Sequence, residues 1–179
     1  MGRNADADRA LDAYLAASAR LGDAKAFGLL FKRWNGRFLA HAWRLLRDPE
    51  SAKDAVQDGW AEIARGLPQL ADSAAFPAWA YRIVSRRCAR SIGKAVDRRR
   101  LDAAVPAESQ VAEEAPDSER LRRAIAALPA DQGAAIALYY LEEMSVAEVA
   151  VALAVPAGTV KTRLMHARRK LRAALEGDE

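Results

Sequence analysis

Covalent cross-links and metal ligation are the first possibilities that the sequence withdraws. The chain of 179 residues carries one cysteine, Cys88, so it can form no intramolecular disulfide and offers no thiolate pair at zinc spacing. Histidine is almost as scarce: His41 and His166 stand far apart, and neither adjoins a cysteine or carboxylate in a nucleophile or metal pattern. An enzyme is therefore not expected, nor a metal or any other cofactor. Long apolar runs are missing too, since none approaches the roughly 20 residues of a membrane span, and the opening MGRNADADRA has no apolar core of an export signal. Alternating apolar and polar residues do not persist over any useful length, which leaves little room for strands. The expectation is a cytoplasmic helical protein, without membrane insertion, that works through its surfaces.

What is present is a hydrophobic share of 51%, enough for a packed core, and an uneven distribution of charge. The formal net charge is only +4. Yet Arg82, Arg86, Arg87, Arg90, Lys94, Arg98, Arg99 and Arg100 fall in one stretch against the single acid Asp97, whereas the next 19 positions hold six acids and no Lys or Arg. The basic stretch seeks an anion and the acidic one repels it. The acidic stretch, LDAAVPAESQVAEEAPDSE, is also poor in large apolar groups, so it reads as a flexible linker over residues 101–116. It divides the chain into a unit at 1–100 and a unit at 117–179.

Helical periodicity dominates both units. In the first, helices are expected at 6–21, from 23 up to the Asp48-Pro49 break, at 49–66 and from 76 onward. Phe27, Leu30, Phe31, Trp34, Phe38 and His41 share one face of the second, and Ala52, Ala55, Val56, Trp60 and Ile63 one face of the third. In the second unit, helices are expected at 118–128, 129–143, 146–153 and 156–175.

The last two of these read as a helix-turn-helix. Ser145 followed three residues later by Glu148 is a capping box. Val146, Val149, Ala150 and Leu153 form the inward side of the first helix, and Ala154-Val155 make a tight turn before Pro156. In GTVKTRLMHARRKL, Val160, Leu164, Ala167, Leu171 and Leu175 recur at helical spacing and face inward. Thr159, Lys161, Thr162, Arg163, His166, Arg169 and Lys170 remain outside, where such a helix meets the DNA major groove, and Gly158 permits close approach.

Two further surfaces lie in the first unit. Phe76, Trp79 and Tyr81 cannot all point into one helix face, so at least one aromatic ring is left near the arginines that follow. Rings beside cations suit single-stranded nucleic acid, with bases stacked on the rings and the backbone held by charge. Asp54, Gln57 and Asp58, at i, i+3 and i+4, share one exposed helix face suited to a basic protein partner.

The order of these parts resembles the small sigma factors of bacterial RNA polymerase, the extracytoplasmic-function group of the sigma-70 family. SAKDAVQDGWAEI resembles the helix that docks on the polymerase clamp, FPAWAYRIVSRRCAR the element that reads the minus-ten sequence and separates strands, and LPADQGAAIALYYLEEMSVAEVAVALAVPAGTVKTRLMHARRKL the domain that reads the minus-thirty-five sequence. The resemblance implies an all-α protein of two small helical domains, a region 2-like bundle and a region 4-like helix-turn-helix. Its implied partners are core RNA polymerase, promoter DNA and an anti-sigma protein. It assigns the clamp contact to Asp54, Gln57 and Asp58. It assigns the minus-ten strand to Gln69, Asp72, Ser73, Phe76, Trp79, Arg82, Arg86, Arg87 and Arg90, and the minus-thirty-five element to Gly158, Thr159, Lys161, Thr162, Arg163, His166 and Arg169. Ser85-Arg86 and Arg90 depart from the Arg-Asn and Asp common in the family, which exchanges polar readout for positive charge. Two other readings compete: a sigma-like decoy that binds an anti-sigma protein, and an operator-binding helix-turn-helix regulator.

Overall fold

A computed structural model describes residues 2–99 and 117–176, and among them all regular structure is helical. The expected linker, residues 101–116, lies outside the described residues. The first unit comprises α1 (Gly2–Arg20), α2 (Ala24–Leu46), α3 (Pro49–Gly66) and α4 (Phe76–Arg99), with short 3₁₀ turns at Leu67–Gln69 and Ser73–Ala75 before α4. The second comprises α5 (Asp117–Ala127), α6 (Ala130–Ile136), α7 (Val146–Leu153) and α8 (Ala157–Glu176).

Local chemistry sets the boundaries. Gly22, at φ +95, makes the turn out of α1. Asp23 then caps α2 by accepting from the amides of Lys25 at 2.8 Å and Ala26 at 3.1 Å. Arg47 ends α2 in the left-handed conformation and returns its amide to the Trp43 carbonyl at 2.8 Å. Asp48 caps α3 through the Ser51 amide at 2.8 Å, with Pro49 in the first turn where its missing N–H is harmless.

The core of the first unit is aromatic. Leu30, Trp34, Phe38 and His41 of α2 meet Val56, Trp60 and Ile63 of α3 and Phe76, Tyr81 and Val84 of α4, all buried. Phe38 lies edge-on to Tyr81 with ring centroids 5.1 Å apart, and Trp34 edge-on to Phe76 at 5.8 Å. Gly59 lets α3 approach α4, since a Cβ there would come within 3.2 Å of the Val84 side chain. Two residues expected on the buried face of α2 sit at its rim instead: Phe27 is half-buried and Phe31 is exposed. Both lean on Trp60, with ring centroids at 5.8 and 5.0 Å.

The second unit corrects a helix. The continuous helix expected at 129–143 stops at Ile136, widens into a π turn at Ala137–Leu141, and ends where Glu143 takes a positive φ of 51°. The wider turn keeps Ala137 and Leu138 in the core while it brings Glu142 round to face the first unit.

The two units are docked. Helix α7 packs on α4 and α6 on α2, and one hydrophobic cluster runs through both. At the seam Glu142 accepts a hydrogen bond from Tyr81 and lies 3.5 Å from Arg37, with Arg44 nearby. Burial raises the Glu142 carboxyl above the ordinary glutamate range, and Arg37, Tyr81 and Arg44 oppose the shift. Arg47 donates to the Leu128 carbonyl at 3.1 Å, and Arg9 donates to the Glu143 carbonyl.

His41 is wholly enclosed beside this seam, with its Nε2 2.8 Å from Ser85 Oγ and no partner at Nδ1. Burial, aided by Arg44, lowers its pKa from 6.5 to about 3. An unfolded histidine takes up a proton below pH 6.5 while the native one does not until about pH 3, so this group contributes nothing above pH 6.5 and destabilises progressively below it. Between pH 6 and 4, urea melts of the protein and of His41→Gln should diverge, the native residue adding a loss of up to about 1.4 kcal/mol per pH unit. Parallel pH dependences would contradict the buried neutral ring.

Candidate nucleic-acid and polymerase-binding surfaces

Because Phe76, Ala80, Tyr81, Val84 and Cys88 occupy the buried side of α4, the other side is left to a stripe of Trp79, Arg82, Arg86 and Arg90. The three arginines are exposed, and Trp79 is half-buried against α3. Gly66 makes room for that indole: a Cβ there would lie 2.9 Å from Trp79 Cζ2. Beside the ring opens a cleft of about 540 Å³, bounded by Glu62, Gln69, Leu70, Trp79, Arg82 and Arg86. An indole wall with guanidinium groups above it can stack a base and hold its phosphates.

The loop at the mouth of this cleft is built rather than slack. Arg20 of α1 donates to the carbonyls of Leu70 at 3.0 Å and Ala71 at 3.4 Å. Asp72 accepts from the Ala74 amide at 2.9 Å and so starts the second 3₁₀ turn. With its nitrogen turned inward, the Gln69 amide donates to the Arg65 and Gly66 carbonyls at 3.0 and 3.1 Å. Gln69 and Asp72 remain exposed at the rim and Ser73 is half-buried.

Phe76 is a correction. It was expected among the strand-binding residues, but it is completely buried against Trp34, so it has no face to offer a base. Of the three aromatics weighed for the surface, Trp79 is the one near it; Phe76 and Tyr81 are core.

Asp54, Gln57 and Asp58 are all exposed on α3 and form one side of it. The structure ties this face to the arginine stripe: Arg87 Nη1 lies 3.6 Å from Asp58, and the same guanidinium donates from Nε to Glu62 at 2.8 Å. Sequence reading missed Glu62 and Gly66, although Glu62 sits one turn beyond Asp58 on the same helix.

In the second unit, the capping box is present, with Ser145 Oγ accepting from the Glu148 amide and Glu148 Oε2 accepting from the Ser145 amide. Val149 is buried as expected, Val146, Ala150 and Leu153 are half-buried, Ala152 is fully enclosed, and Ala154 makes the turn in the left-handed conformation. Val160, Leu164 and Ala167 hold α8 to the unit; Leu171 is half-buried, and Leu175, expected inward, is 40% exposed. On the outer side Gly158, Lys161, Thr162 and Arg169 are exposed and Thr159 is half-buried. Thr162 donates back to the Gly158 carbonyl at 3.1 Å. Arg163 is half-buried and paired with Asp131 of α6 at 3.1 Å, and His166 is half-buried with Arg169 Nη2 3.4 Å from its Nδ1. No group of three or more potential metal ligands occurs among the described residues, and no described helix is long and apolar enough to cross a membrane.

A helix-turn-helix with a cationic outer side, in one chain with a helix that offers a ring, a cleft and arginines, is the architecture of a DNA-binding protein. The family model for sigma-70 region 2 matches residues 30–98, and that for sigma-70 region 4 matches residues 118–171. The ECF RNA polymerase sigma factor SigM of Mycobacterium tuberculosis is 33% identical over 162 residues, which cover 89% of this chain and 82% of that protein. The ECF RNA polymerase sigma-E factor of Escherichia coli is 29% identical over 176 residues, covering 89% of this chain and 92% of that one. Among solved structures, the sigma factor RpoE of Bartonella quintana, in complex with the anti-sigma factor NepR, superposes with a TM-score of 0.71 at 24% identity, over 87% of this chain and all of that one. The chain belongs to the extracytoplasmic-function sigma factors of the sigma-70 family.

Cys88 takes no part in these surfaces. It is fully enclosed in α4, and burial pushes its thiol up to about 12. A thiol reagent such as 5,5′-dithiobis(2-nitrobenzoic acid) at pH 8 should label it only at the rate of unfolding. Immediate stoichiometric labelling of the native protein would contradict this placement.

Proposed function

We propose that the chain binds core RNA polymerase through Asp54, Gln57 and Asp58, holds the minus-ten strand with Trp79, Arg82, Arg86, Arg87 and Arg90, and reads the minus-thirty-five element with the outer side of α8. The observation that carries this reading is the α4 stripe beside its cleft, on the same unit as an exposed acidic face. An operator-binding regulator has no use for either. The chain performs no catalytic step of its own; it works in the cytoplasm, where the polymerase is, and its antagonist is an anti-sigma protein.

The domains fall at 1–100 and 117–179, and the docked form is a resting state. The two promoter elements lie about 25 base pairs apart, roughly 85 Å at about 3.4 Å per pair. A docked chain of 179 residues is roughly 40 Å across, so the units must part, with residues 101–116 as the tether. Once core polymerase holds both, each raises the effective concentration of the other at the promoter. Lys161, Thr159, Thr162 and Arg169 meet the major groove directly. Arg163 joins them only by leaving Asp131.

Transcription from a pool of promoter fragments by core polymerase, with and without the purified chain, is the test. Initiation should require both. Lys161→Ala and Arg82→Ala should each lower it at least about tenfold, the order of one specific contact. Transcript levels independent of the chain, or a DNA shift by the chain alone with no initiation, would reject the proposal.

A further inference from the structure

The arginines beside the cleft are occupied in the docked chain. Glu62, with a side chain 21% exposed, uses one carboxylate oxygen for Arg86 and the other for Arg87, whose Nε lies 2.8 Å away. Arg87 also reaches Asp58 at 3.6 Å. Asp58, Arg87, Glu62 and Arg86 thus form a row of alternating charge that runs from the acidic face of α3 to the wall of the cleft.

A carboxylate that receives a guanidinium fork occupies the place a phosphate would take, because both present paired oxygens to the same planar donors. Each Arg–Glu bond made within the chain is one that a nucleic-acid backbone must displace. The nearby Arg82 and Arg90 are exposed and have no such carboxylate among the ion pairs of the described residues. The restraint therefore falls on Arg86 of the stripe and on Arg87, which is half-buried beside it on the side of α4 that faces α3.

We infer that Glu62 is an internal phosphate mimic that keeps Arg86 and Arg87 from single-stranded DNA in the free chain. It is a positioning residue, acting through the arginines it holds. Asp58 adds to the negative potential around Arg87, so a basic surface docked on the acidic face loosens the same grip. Strand binding is thereby made conditional on the partner. This rests on the reading of α4 as the strand-binding helix.

Equilibrium binding of fluorescein-labelled (dT)12 to the full chain, between 50 and 300 mM salt, tests the inference for wild type, Glu62→Gln and Glu62→Ala. Far-UV circular dichroism verifies that each variant is folded. Both variants should bind about tenfold more tightly at low salt. Their plots of log affinity against log salt should also be steeper, by about 0.7 for each arginine released and up to about 1.4 in all. A residue with only a structural role would leave that slope alone. Unchanged affinity in folded variants would overturn the latch, and so would a gain in affinity with an unchanged slope, which signifies lost repulsion without new phosphate contacts. A parallel assay of wild-type chain with core polymerase on promoter fragments separates the two claims: initiation there with no change in (dT)12 binding rejects the latch alone, whereas absent initiation rejects the sigma-factor reading.

Discussion

Burial of Phe76, Tyr81, Val84 and Cys88 along one side of α4 governs what the rest of the first unit can do. Their packing against Trp34, Phe38 and Ile63 fixes the rotation of the helix about its axis. Side chains three, four and seven residues apart on its far side are then obliged to face outward together. That constraint turns Trp79, Arg82, Arg86 and Arg90 from scattered residues into a stripe, and Gly66 seats the indole beside the cleft. A core this tightly fitted loses about 3–5 kcal/mol when a buried aromatic is cut to alanine. The same apolar contacts thus maintain both stability and the aim of the cationic side chains.

Where the two units meet, a carboxylate is set into the apolar cluster that runs through both. Glu142 is drawn into it by the π turn and satisfied by Tyr81 and by the arginines of α2. Burying this charge adds little net free energy to the apolar contacts around it, because desolvation offsets the attraction. The seam also covers Tyr81, a core residue of the first unit.

Much of this was legible in the residues. The capping box, the apolar spacing of α3 and of α8 as far as Ala167, the acidic face, and the outward placing of Arg82, Arg86 and Arg90 depend on local chemistry or helical period, and they appear where that chemistry places them. The misses have a common origin in contacts between elements. Phe76 looked available because a single helix face cannot hold three aromatics, but Phe76 lies at the start of α4 where Trp34 reaches it. The break at Ile136 has no glycine or proline to announce it; the π turn answers the packing of Ala137 and Leu138. Glu62, Gly66 and Asp131 owe their importance to neighbours 13 or more residues away, which no periodicity reveals.

The central claim is that the outward side of α4 captures an unpaired strand, with Trp79 as its stacking platform. Permanganate reactivity of thymines at the minus-ten region, in complexes of core polymerase with wild type or Trp79→Ala, measures this directly. The account predicts strong reactivity with wild type and little with Trp79→Ala, while both still bind the duplex promoter. Equal reactivity in the two complexes would contradict it.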